Sequence, residues 1–129
     1  MDISETKIYK HLNNKDNTFY LDNVAAYAQS FLSRIPAMFS NYTNHDIEHS
    51  ARVADYMVDL LPRPLNEYND TELVIMLCST IFHDIGMVVS ETEVNLNPTK
   101  QDDIRKTHHI RSEKFLNDHN EKNDCFNID

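Results

Sequence analysis

The residues able to do chemistry are concentrated in a few histidines and one aspartate. His83 and Asp84 close an apolar run, LVIMLCSTIF, and are followed by Ile85 and Gly86, the only glycine in the chain. Residues 73–86 read as one helix, hydrophobic nearly all the way round and so expected at the centre of a helical domain. Two ionisable side chains at the end of such a helix need a partner. An unpaired buried carboxylate is costly, and a metal ion is one of the few groups that offsets the cost. Gly86 reads as the stop signal, a residue free to adopt positive φ after the helix. His45 and His49, four apart in HDIEH, fall side by side on a further helix and can share one ion. Downstream, Ile104, His108, Ser112 and Phe115 form one stripe, which makes His108 inward-facing, with His109 and Arg105 on the adjacent flank. Imidazole and carboxylate donors suit a divalent ion such as zinc, manganese, iron, nickel or magnesium.

These side chains must be carried by helices. Residues 1–14 form a short amphipathic candidate with Ile3, Ile8 and Leu12 inward, and the polar residues 15–18 read as a loop. A second helix is expected from Phe19, with Leu21, Val24, Ala25, Ala28, Phe31, Leu32 and Ile35 at helical spacing, ended or bent by Pro36. A third is expected over 45–61, capped by Thr43 or Asn44. It buries Ile47, Ala51, Ala54, Val58 and Leu61, and Pro62 and Pro64 stop it. Residues 66–71 loop to the central helix. After Gly86 the polar stretch to Thr99 reads as a lid or site edge, and a last helix spans 100–120. The expectation is an all-α helical bundle and a single domain over 1–129, with N-terminal helices in 1–40 and the metal-site core in 42–120.

Composition narrows the function. One glycine and four prolines leave little material for hairpins, and they exclude phosphate loops and dinucleotide fingerprints, which are built from glycines. A formal charge of −9 disfavours long nucleic acid as a partner. Cys78 lies in the apolar run as a small core residue and Cys125 stands apart, so no disulfide framework is implied. No apolar run reaches the length of a membrane span and no signal-peptide pattern opens the chain, so a cytoplasmic setting is expected. His11 and His119 read as solvent-exposed.

The order HSARV, then HDIG at the end of an apolar helix, then HHIRSEKFL resembles the HD-domain superfamily of metal-dependent phosphohydrolases, over residues 42–116. The resemblance matches His49 to the first family histidine, His83 and Asp84 to the namesake pair, and His108, four before the small Ser112, to a later histidine. It implies metal ligation by His49, His83, Asp84 and His108, with Asp84 and His108 as the catalytic candidates. His45, Arg105, His109 and Arg111 are candidates to orient a ligand or contact substrate. An aspartate between two histidine sets can bridge two ions, which together clamp a phosphate, lower the pKa of bound water and stabilise the leaving oxygen. The family pattern ends with a further aspartate on a later helix. Asp118, Asp124 and Asp129 are available, and none matches. The bundle is therefore expected to be incomplete at its C-terminus, part of a longer protein or completed by a second subunit.

The implied activity is hydrolysis of a phosphoester or phosphoanhydride in a phosphorylated small molecule, a nucleotide or a relative of one. Two other readings stand beside it. HDIEH satisfies the inverted zincin pattern, with Glu48 as base of a metalloprotease. An HD-like bundle without its final ligand can also serve as a non-catalytic regulatory or interaction module.

Overall fold

The computed structural model describes residues 1–33, 46–88 and 98–121. The described residues are all-α, with no strand among them. Among the described residues there are five α-helices, in chain order α1 (Lys7–His11), α2 (Lys15–Leu32), α3 (Ile47–Asp59), α4 (Asp70–Phe82) and α5 (Pro98–Glu121). A short 3-10 turn at Ile3–Glu5 precedes α1, and others at Leu65–Glu67 and Ile85–Met87 lie before and after α4.

The N-terminal segment is a 3-10 turn followed by a short helix, not the continuous helix that its apolar spacing suggests. Asp2 and Thr6 explain the break: each caps a new start, Asp2 with Glu5 in a capping box and Thr6 by accepting from the Tyr9 N–H. Ile3, Ile8 and Leu12 are nevertheless buried. Residues 15–18, expected as a loop, form the first turn of α2, because the Asn14 side chain caps the helix through the Asp16 N–H. Leu21, Val24, Ala28 and Leu32 are its buried face.

α4 starts at a capping box between Asn69 and Glu72 and buries Leu73, Leu77, Thr80, Ile81 and Phe82. It packs on α1, α2 and α3, as the central position requires. It is not wrapped on every side: Ile75 is 55% exposed, and Thr71 and Ser79 share that edge. The helix ends at Phe82, and His83 to Met87 turn away from it.

α5 is mostly polar and rests chiefly on the Ile85–Met87 turn. Ile104 and Ser112 are its buried residues, and its far half is anchored to α2 by aromatic rings. Phe31 meets Phe115 at 5.0 Å, and His119 stacks on Phe115 at 3.8 Å. His119 is thus half-buried, not solvent-exposed, because stacking covers one ring face. No described helix is long and apolar enough to cross a membrane.

Candidate metal centre

Three helical segments bring imidazoles to one buried carboxylate. Asp84 is 5% exposed and sits where α4 gives way to the Ile85–Met87 turn, with φ −103° and ψ 3°. His83 Nε2 lies 2.9 Å from its Oδ2, and His49 Nε2, from α3, lies 3.4 Å from the same oxygen. His108 Nε2, from α5, lies 3.4 Å from Oδ1. The carboxylate therefore faces two histidines with one oxygen and a third with the other. The histidine side chains keep 29–33% of their surface accessible, so the cluster is open on one side while its charge is buried.

Local backbone fixes each ring. The Nδ1 of His83 is 2.6 Å from the Thr80 carbonyl, and that of His108 is 2.5 Å from the Arg105 carbonyl. A carbonyl only accepts, so both Nδ1 atoms carry the proton, and a neutral ring then turns a bare Nε2 lone pair toward Asp84. Lone pairs and a carboxylate converging on one point are repulsive unless a proton or a cation lies among them. This is the arrangement seen around metal-bound histidine, whose second nitrogen is held by a backbone or carboxylate acceptor. His49 is placed through its backbone: Asp46 caps α3 by accepting from the His49 N–H at 2.9 Å.

The His83 proton balance follows from the same geometry. Burial pulls its pKa down, but the hydrogen bond to Asp84, the one to Thr80 and the charge of Asp84 together hold it above the ordinary value of 6.5. Without a cation, His83 needs both N–H groups to satisfy both acceptors.

The donor set fits a divalent ion. One ligand atom each from His49, His83 and Asp84 lies within 4.8 Å of the others. Two ligands about 2.1 Å from a tetrahedral ion stand roughly 3.4 Å apart, and the His49 and His108 distances to Asp84 are both 3.4 Å. His83 sits closer because it hydrogen-bonds directly.

The other expected participants divide. His45, Asp124, Asp129 and residues 89–97 of the suggested lid lie outside the described residues, while the ends of that stretch belong to the Ile85–Met87 turn and to the start of α5. The Arg105 side chain is exposed and paired with Asp102 at 2.8 Å, so its contribution to the cluster is the backbone carbonyl that holds His108. His109 is exposed, its ring edge-on to His108 at 6.3 Å. Arg111 is half-buried and donates from Nε to the Gly86 carbonyl at 2.7 Å and from Nη2 to the Val88 carbonyl at 2.9 Å. Two of its donors thus hold backbone. Asp118 lines a cleft with Arg111, Phe115 and His119, and it pairs loosely with Lys114 at 4.0 Å. Glu48, the protease base in the HDIEH reading, is 59% exposed and binds the amino terminus at 3.3 Å.

Gly86 plays a different part from the one its position suggests. Its φ lies outside the left-handed region, so conformation does not demand glycine. Space does: an added Cβ would fall 2.7 Å from the Ser112 nitrogen and 2.9 Å from the Arg111 Cβ, and closer still to the His108 carbonyl oxygen. Asp46, Thr80 and Ser112 were not evident as supports. Asp46 had a readable signal, an aspartate three before His49 at a helix start.

A family model, HD-CE, matches residues 39–128. Searches of curated proteins and of solved structures return no match. The family match spans α3, α4 and α5, the three helices that bring His49, His83 with Asp84, and His108 together. The chain belongs to the HD-CE family, in keeping with the likeness to HD domains that its motifs carry.

Proposed function

We propose that this chain is a metal-dependent phosphohydrolase acting on a phosphoester or phosphoanhydride of a small molecule, a nucleotide or a relative of one. The observation that carries the reading is Asp84, a buried carboxylate met by Nε2 atoms of His49, His83 and His108. His49, His83 and Asp84 are the residues that would hold a divalent ion, with His108 completing the donor set on the Oδ1 side. Such an ion supplies Lewis acidity toward a phosphoryl oxygen and lowers the pKa of water.

The chain's own residues supply orientation. Thr80 and Arg105 hold the His83 and His108 rings through backbone carbonyls, so the donors are preset and little order is lost when a cation arrives. Asp84 spans both histidine sets, which makes it the side chain best able to neutralise more than one positive charge. The open side formed by the half-exposed histidines leaves room for a phosphate to approach. The strongly acidic surface favours a small substrate, whose phosphate is drawn by the local charge of a loaded centre, over a long polyanion.

The test is a screen of nucleotides and phosphate esters against the purified chain with manganese, nickel or magnesium added. Metal-dependent phosphate release that Asp84→Ala abolishes is the expected result. Wild-type rate in Asp84→Ala would refute it, metal binding without hydrolysis would favour a regulatory module, and peptide cleavage would revive Glu48 as a base.

A further inference from the structure

One oxygen atom ties together the backbone on both sides of Asp84 and the backbone of His108. The Ser112 Oγ accepts from the Gly86 N–H at 2.9 Å. Its own proton is directed to the carbonyl of His108 at 2.8 Å and shared with that of His83 at 3.2 Å. His83 and Gly86 flank the aspartate, one residue before it and two after. Ser112 is 6% exposed, and the missing Cβ of Gly86 is what lets the turn come close enough for this contact. Arg111 reinforces the same joint from the next position, through the carbonyls of Gly86 and Val88.

Of the four cluster residues, only His108 reaches Asp84 through this joint. His49 stands on α3, while His83 and Asp84 follow directly from α4. His108 alone is delivered by α5, and its Nε2 reaches Asp84 Oδ1 at 3.4 Å. We propose that Ser112 is a positioning residue for the metal centre: its hydroxyl sets the distance between Asp84 and His108. This rests on the metal-centre reading above. Ser112 touches neither metal nor substrate and acts through the two residues it aligns.

The experiment is a double-variant cycle on cobalt binding to the whole chain, measured by calorimetry and by the visible absorption of bound cobalt. Far-UV circular dichroism of the metal-free proteins checks folding. Ser112→Ala should weaken cobalt binding by about tenfold, in the range that loss of a ligand's supporting hydrogen bond produces. His108→Ala should weaken it as well, and the double variant should bind no more weakly than His108→Ala alone. The cobalt spectrum of Ser112→Ala should resemble that of His108→Ala. Should Ser112→Ala fail to fold, Ser112→Cys, close in size and a weak donor, carries the same cycle. Unchanged affinity in the Ser112 variant, or losses that simply add, would overturn the inference while leaving the centre standing. Wild-type protein that binds no cobalt would overturn the centre, and this inference with it.

Discussion

Gly86→Ala should damage this protein far more than a glycine-to-alanine change in an ordinary turn. The new methyl would meet backbone of α5, 2.7 Å from the Ser112 nitrogen and closer to the His108 carbonyl, and backbone cannot rotate out of the way. The turn must move off the helix. Forcing extra volume into a packed site costs about 1–3 kcal/mol. The buried Gly86 N–H then loses its bond to Ser112, which adds about 1–3 kcal/mol. The sum is about 2–6 kcal/mol, a fall in melting midpoint of at least roughly 6 °C for a chain of this size. Thermal melts followed by circular dichroism, without metal, read this directly. Gly86→Asn separates contact from conformation. Asparagine tolerates positive φ better than alanine, so it would be the milder change if φ were the reason for glycine. Because the reason is space, asparagine should be the worse. A Gly86→Ala protein melting with the wild type, or an asparagine variant more stable than the alanine one, would refute the close approach.

Arg111→Lys should lower the melting midpoint by a few degrees, because lysine cannot hold the Gly86 and Val88 carbonyls as a planar fork. With an active substrate in hand, KM should stay unchanged, and a raised KM with an unchanged melt would return Arg111 to substrate binding. In metal-free protein the folded pKa of His83 lies above its ordinary 6.5, so its protonated form stabilises the fold. That contribution is fully present below the ordinary value and is lost as pH rises through the raised folded one. Metal affinity should run the opposite way and strengthen over the same interval, since ligation requires the Nε2 proton to leave. Chemical denaturation and metal titration between about pH 5 and 9, an interval that spans histidine's usual titration, check both. A metal affinity flat across that range would contradict the assignment of His83 as a ligand.

The helices and the metal-ligand candidates were largely legible because each left a strong local trace. Leu73, Leu77 and Ile81 recur at helical spacing, and the His83–Asp84 pair stands out against that run. Helix starts are less legible: Asn14 caps α2 through one hydrogen bond that apolar spacing does not reveal, and Asp46 is marked only by its residue type three before His49. Gly86 matters for a reason that sequence does not carry: sequence shows that a glycine is present, while only packing shows that α5 lies against it. Arg111 and Ser112 are the same kind of case. Apart from the His108 carbonyl one turn back, their partners are carbonyls and an amide more than twenty residues away, and backbone groups have no signature in sequence. Arg105 proved to matter for its carbonyl, a property every residue shares.

The most direct measurement of the central claim is anomalous diffraction from crystals of the chain grown with cobalt. The account predicts a peak about 2.0–2.2 Å from the Nε2 atoms of His49 and His83 and from the Asp84 carboxylate. Cobalt bound elsewhere, such as between His45 and His49 and away from Asp84, would contradict it, as would crystals in which that cluster shows no peak.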